Sequence, residues 1–209
     1  MRLYQHPYSF NARRAVLTAL HLAVPVELVT VDLAKGDHMT PEYLRMNPNH
    51  KVPVLEDGGF CLWESHAIMQ YLADVTPGQT LLPGEARARA DVSRWLFWSA
   101  QHFSPACGAL NWENAVKGML GMGGPDPAEV RRAEQHFTPL AAVLDAQLAG
   151  QPWVCGTALT LADFALAAPL GDAAAARLPM DPYTDIDRWF QQVKAMPVWK
   201  QAAPHLVLS

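Results

Sequence analysis

Glu64 and Ser65 are the residues of this chain whose types and setting speak most directly of chemistry. They follow a short apolar run and precede an apolar-periodic segment, Ile68, Met69, Tyr71 and Leu72, whose spacing predicts a helix. Ser65 is then the expected N-cap, and the helix start behind it would present free backbone N–H groups to an anion. A hairpin followed by a capped helix with no ligand satisfies the same residues. Ser9 and Asn11 stand in a similar relation to a second predicted helix, which either of them could cap. Thr160-Leu161-Ala162-Asp163 has the spacing of a capping box, with Asp in place of the usual Glu or Gln at N3. We read it as structural, the start of a central apolar helix carrying Phe164, Leu166, Ala167 and Leu170.

Other chemistries find little footing. Cys61, Cys107 and Cys155 are odd in number and far apart, which suits thiols in a reducing compartment better than a disulfide framework. The eight histidines form no ligand-spaced pair, so no metal is expected.

The elements that must position Glu64 and Ser65 begin just upstream. Val52 to Leu55 and Phe60 to Leu62 flank Asp57-Gly58-Gly59, the pattern of a β-hairpin. Pro53 lacks an N–H for the ladder, so it belongs at a strand start, an edge or a turn, where a cis bond is also possible. Before the hairpin, Arg2 to His6 reads as a strand. A helix from Ala12 follows, with Ala15, Val16, Ala19 and Leu20 on its apolar face and Arg13 and Arg14 on the other. Val26 to Leu33 reads as a second strand, which implies a parallel pair with a right-handed crossover. Thr40-Pro41-Glu42 looks like the cap and first turn of a short helix. The order is β-α-β-α-β-β-α, an α/β layer on a mixed four-stranded sheet.

Composition then changes. Residues 76–84 carry two Pro-Gly pairs and read as a linker between a domain at 1–75 and another at 85–209. Beyond it the signals are helical. Glu85 to His102 shows apolar residues at mixed spacings, Ala128 to Leu148 carries Phe137, Leu140 and Leu144, and Asp185 to Met196 carries Trp189 and Phe190. With 50% hydrophobic and 17% charged residues, 209 residues describe an ordinary globular protein. A formal charge of −4 gives no sign of a nucleic-acid partner. The N-terminus resembles no signal peptide, and the most hydrophobic stretch, 158–176, is broken by Asp163, Pro169, Gly171 and Asp172, so no membrane span is expected.

Taken together, Tyr8-Ser9-Phe10-Asn11-Ala12-Arg13-Arg14, Asn47-Pro48 with Lys51-Val52-Pro53-Val54-Leu55, Glu64-Ser65-His66-Ala67-Ile68 and Leu161-Ala162-Asp163 resemble the cytosolic glutathione transferase family over nearly the whole chain. Within it the Ser-x-Asn spacing is similar to that of phi and bacterial nu-like members of the serine type. The resemblance implies a thioredoxin-like N-terminal domain, an all-α C-terminal domain, a cis Val52-Pro53 bond, a cytoplasmic homodimer and glutathione as co-substrate with a small electrophile. It implies that Ser9 donates a hydrogen bond to the glutathione sulfur, with Asn11 sharing that role or fixing the loop. Glu64 and Ser65 would hold the γ-glutamyl end, the backbone of Val52 beside Pro53 the cysteinyl part, and His38 and Lys51 the glycyl carboxylate. Tyr8, Phe10, His102, Phe103, Trp112, Met119 and Met122 are candidates for an electrophile pocket between the domains, although residues of these types at helical spacing also suit a core. The glycine-bearing segment Asn111 to Gly124 reads as a helix end or loop, either a cover for that pocket or an ordinary connection. Two alternatives accompany conjugation: glutathione-dependent disulfide or peroxide reduction on the same scaffold, and a non-catalytic binding module.

Overall fold

The structure, a computed structural model, describes residues 1–202; the end of the expected second domain, 203–209, lies outside the described residues. The chain divides into two compact units, Met1–Leu82 together with 195–202, and Pro83–Lys194.

The first unit is built on a four-stranded sheet of order β2-β1-β3-β4, comprising β1 Arg2–Gln5, β2 Glu27–Thr30, β3 Val54–Asp57 and β4 Phe60–Trp63. β1 runs parallel to β2 and antiparallel to β3, with Leu3 opposite both Leu28 and Leu55. The β3–β4 hairpin turns through Gly58 and Gly59, with φ of 55° and 90°. Those are values that a side chain would resist, so glycine is required at both central positions.

Because strand side chains alternate, Leu3 and Leu55 face one way and Tyr4 and Val54 the other. The first face packs with Ala15, Val16 and Ala19 of α1 (Phe10–His21) and Ile68 and Leu72 of α3 (Ser65–Asp74). Val54 and Tyr4 pack on the second face with Tyr43 of α2 (Pro41–Met46). Thr40 caps α2, its Oγ1 accepting from the Tyr43 N–H at 3.3 Å, as its spacing predicts.

Arg13 and Arg14 depart from the expectation of an outward face, being 7% and 0% exposed. The reason is long-range. The Arg14 guanidinium meets His66 on α3, and that of Arg13 lies 5.8 Å over the ring of Trp199, in a short helix (Pro197–Gln201) that packs on α1 from the chain's far end.

In the second unit, α4 (Ala86–Trp98) begins at Glu85, whose carboxylate accepts from the Arg87 and Ala88 amides at 3.0 and 2.8 Å. The helical path continues through a π-helical turn at Ser99–Phe103, α5 (Ser104–Asn111), a second π-helical turn at Trp112–Val116 and α6 (Lys117–Met119). Each π turn inserts an extra residue into the helical ladder and so shifts the apolar face beyond it. The segment read as a helix end or loop from Asn111 thus remains helical through Met119. α7 (Pro127–Leu148), α8 (Leu161–Leu170), α9 (Ala173–Ala176) and α10 (Thr184–Ala195) complete the unit. Every residue of α8 is buried. No helix among the described residues is long and apolar enough to cross a membrane.

Candidate functional site

The register of the sheet decides which loops meet. Gln5 lies opposite Thr30, Tyr4 opposite Val54, and Val54 opposite Trp63. The carboxyl ends of β1, β2 and β4 and the start of β3 therefore share one end of the sheet. Ser9 follows β1, His38 follows β2, Val52-Pro53 precedes β3, and Glu64-Ser65 follows β4. Loops beyond the carboxyl ends of strands in an α/β sheet are where ligands characteristically bind.

Ser9 caps α1, with φ −89° and ψ 113° and its Oγ accepting from the Ala12 N–H at 3.2 Å. Because that oxygen acts as acceptor toward the helix, its own O–H proton remains available to donate outward. Asn11 is exposed on the first turn, Tyr8 is exposed, and the half-buried Phe10 lies against Arg14 with 5.7 Å from guanidinium carbon to ring centre.

The Val52-Pro53 peptide is cis, and the ladder of β3 begins only at Val54, so Val52 stands beyond the paired strand. Two donors fix the backbone leading into it. The Asn47 side-chain amide donates to the Lys51 carbonyl at 2.7 Å, and the Tyr43 hydroxyl donates to the same oxygen at 2.9 Å. Both residues are buried, and burial pushes the Tyr43 hydroxyl pKa well up, so it stays a donor. Their buttressing was not read from the sequence; Asn47-Pro48 marks the place, but nothing local shows where the amide points. The Lys51 side chain is exposed. His38 lies in a 3-10 turn (Asp37–Met39), half-buried, its Nδ1 covered and without a hydrogen-bond partner.

Ser65 is not the N-cap. That position falls to Glu64, whose side chain makes no capping bond and whose backbone has φ 72° and ψ 110°. A positive φ in a residue with a side chain is strained, at a cost of about 1–3 kcal/mol, and persists only where the surroundings enforce it. Ser65 becomes the first helical residue, 5% exposed. The helix's own bonding starts with the Ile68 N–H donating to the Glu64 carbonyl at 3.0 Å, so the amides of Ser65, His66 and Ala67 have no carbonyl within the helix. The unbonded amides expected at this helix start thus begin one residue earlier, at Ser65. His66, the next residue, accepts at Nε2 from Arg14 Nη1 at 2.7 Å. Burial and the adjacent guanidinium push the imidazole down to about 2, so it is neutral. Neither partner of this contact was read as part of the site.

Phe103 is fully buried, with its ring centre 5.5 Å from that of Trp98 and 5.8 Å from that of Phe137. It packs in the core of its unit, against Phe137 of α7. His102 is exposed, Met119 and Met122 are exposed, and Trp112 lines a cleft of about 280 Å³ with Glu113, Arg132 and His136. Cys61, Cys107 and Cys155 are free thiols, and among the described residues no group of three His, Cys, Asp or Glu side chains is arranged to hold a metal ion.

The model of the glutathione S-transferase N-terminal domain matches residues 1–74, and that of the glutathione S-transferase C-terminal domain matches residues 127–206. Glutathione S-transferase 3 of Zea mays is 34% identical over 217 aligned positions, covering 100% of this chain and 95% of its own. A delta-class glutathione transferase of Nilaparvata lugens superposes with a TM-score of 0.84 at 33% identity, over 97% of this chain and 92% of that one. A glutathione transferase family member from Pseudomonas fluorescens, solved with two glutathione bound, gives a TM-score of 0.86 at 27% identity, over 96% and 91%. With family models on both halves of the sequence and a relative of this identity along its full length, the chain belongs to the glutathione S-transferase family.

Proposed function

We propose that the protein adds the glutathione thiolate to small electrophiles, with the Ser9 hydroxyl donating a hydrogen bond to the sulfur anion. One observation carries the reading: Ser9, Val52-Pro53 and Glu64-Ser65 belong to loops that the sheet register gathers at one end. A free thiol has a pKa of about 8.5, so at neutral pH little glutathione is the nucleophile. A hydroxyl donor at a helix start favours the anion, and each unit by which the pKa falls corresponds to about 1.4 kcal/mol. Ser9 is thus a donor and forms no covalent intermediate. The thiolate attacks an electrophilic carbon, the C–S bond forms, and a leaving group such as halide departs with its bonding pair.

Each end of the tripeptide has a matching group. Glu64 pairs with the γ-glutamyl ammonium, and Ser65 with the free amides of α3 accepts its carboxylate. The backbone of Val52 pairs with the cysteinyl unit as an added strand would. Lys51 and His38 meet the glycyl carboxylate, and Asn11 supports the sulfur or the Ser9 loop. The enzyme acts in the cytoplasm as a homodimer through the outer face of α4, where Phe97 is 68% exposed.

The test is titration with glutathione together with conjugation of a dinitro-aryl halide. Saturable binding and activity that falls at least about tenfold in Ser9→Ala are expected, the equivalent of about 1.4 kcal/mol of lost thiolate stabilisation. An undiminished Ser9→Ala enzyme rejects the role of Ser9, and a chain that does not bind glutathione is a non-catalytic module. A second reading is favoured by the Pseudomonas fluorescens relative with two glutathione bound. Two glutathione molecules would reduce a small disulfide, yielding glutathione disulfide and two thiols, with no protein cysteine at the start of α1. Disulfide reduction measured beside conjugation separates the two.

A further inference from the structure

Arg14 and His66 make a polar contact that no step of the proposed reaction employs. Arg14 is fully buried, its guanidinium lies 5.7 Å from the centre of the Phe10 ring, and its Nη1 donates to His66 Nε2 at 2.7 Å. The same Nη1 lies 3.4 Å from His66 Nδ1, so the guanidinium sits against both nitrogens of the imidazole. The positions of the partners give the contact its meaning. Phe10 directly follows Ser9 at the start of α1, and His66 directly follows Ser65 at the start of α3. The contact therefore links the second turn of α1 to the first turn of α3, the two helices whose preceding loops carry the sulfur donor and the γ-glutamyl holder. Glu64, held at φ 72°, lies two residues before His66, in the kind of backbone that needs an enforcing neighbour.

We propose that the Arg14–His66 contact is a positioning element, fixing Glu64 and Ser65 relative to α1 so that both are oriented for the γ-glutamyl end before glutathione arrives. The proposal rests on the function given above. His66 touches no reacting atom; it acts by receiving a buried guanidinium N–H from α1. Pre-oriented groups raise affinity because less order is imposed on binding. The effect should appear in glutathione affinity and leave the chemical step largely alone.

Two variants separate positioning from bulk. His66→Phe keeps a planar ring and removes the acceptor; His66→Gln restores an acceptor oxygen within reach of Arg14. Affinity is read by calorimetry with S-methylglutathione, which cannot react, and KM and kcat by conjugation of a dinitro-aryl halide. His66→Phe is expected to weaken Kd and raise KM for glutathione about tenfold with kcat within about threefold, and His66→Gln to stay within about threefold on all counts. Should His66→Phe fail to fold, His66→Asn, whose shorter amide falls short of Arg14, replaces it in the same comparison. Unchanged affinity in the acceptor-less variant, or His66→Gln as weak as His66→Phe, overturns the proposal. Absence of S-methylglutathione binding by the unaltered chain would instead overturn the functional reading on which it stands.

Discussion

A histidine that stays neutral inside the fold makes stability depend on acid in a definite direction. His66 titrates near 2 in the folded chain, because of burial and Arg14, against an ordinary 6.5. Between those values the unfolded chain binds a proton that the folded chain refuses, so unfolding is favoured as pH falls. The stability associated with His66 is full above pH 6.5 and declines by up to about 1.4 kcal/mol per pH unit below it. Denaturant midpoints compared between pH 7.5 and pH 5 should show the unaltered protein losing about 2 kcal/mol more than His66→Gln, which has no proton to gain. Parallel losses in the two proteins would place the acid sensitivity elsewhere. Glu64 offers a second test, in which stability and binding move oppositely. Replacing it by Gly relieves a φ of 72°, a gain of about 1–3 kcal/mol offset by roughly 0.5–1 kcal/mol of added chain entropy. Glu64→Gly should therefore melt higher while binding S-methylglutathione at least about tenfold more weakly for want of the ammonium partner. A variant that melts lower, or binds as before, contradicts one half of the argument. Glu64 and Ser65 were legible as a pair at a helix start. That Glu64 itself is the cap was not, since only the backbone angle distinguishes it from the serine that suits the position chemically. Arg14 escaped because a helical wheel places it opposite Ala15 and Ala19, whereas its acceptor lies on another helix.

At the scale of elements, α8 shows how a local signal can understate a structural role. The Thr160 to Asp163 spacing predicts one helix cap, and Asp163 Oδ2 does accept from the Thr160 N–H at 2.8 Å and from the Thr160 hydroxyl at 3.2 Å. Its other oxygen accepts from the Val154 N–H and from the Trp189 indole N–H, both at 2.9 Å. One buried carboxylate thus ties the start of α8 to the loop before it and to α10. Burial pushes its carboxyl pKa up, against the pull of these donors. Cap loss alone is worth about 1 kcal/mol, whereas each stranded buried donor adds about 1–3 kcal/mol. Asp163→Ala should therefore cost at least about 3 kcal/mol, and Thr160→Ala about 1 kcal/mol, by denaturant titration. Equal losses in the two variants would reduce Asp163 to an ordinary cap. The sequence could not disclose the indole, because Trp189 reads simply as one apolar position on the face of α10. In the helical stretch from Ala86, the π turn at Ser99–Phe103 falls only at the end of the segment whose spacing was legible, and the intervals between Val92, Trp95 and Leu96 do not announce it.

For the whole molecule, the chain's path matters more than any one helix. Residues 195–202 belong with the first unit, where the short helix Pro197–Gln201 packs on α1. Five residues are too few to carry a helical period, so their spacing does not say where they dock. What anchors them is Trp199, half-buried, with the Arg13 guanidinium carbon 5.8 Å from its ring centre. Arg13 is 7% exposed, a degree of burial that a guanidinium tolerates where its charge is met. Removing the indole withdraws apolar cover and a cation–π contact together. Half-burial of a large aromatic side chain corresponds to roughly 1–1.5 kcal/mol, and the stacked cation to about 0.5–1 kcal/mol more. Trp199→Ala should therefore destabilise the first unit by about 2 kcal/mol, read as faster amide exchange in α1. Trp199→Phe keeps a ring face for Arg13 and should recover more than half of that loss. If alanine and phenylalanine behave alike, the ring is not what holds the guanidinium. Since α1 begins at the Ser9 loop, loosening it should also weaken S-methylglutathione binding in Trp199→Ala and less so in Trp199→Phe. That order of affinities would tie a residue near the end of the chain to the site near its start.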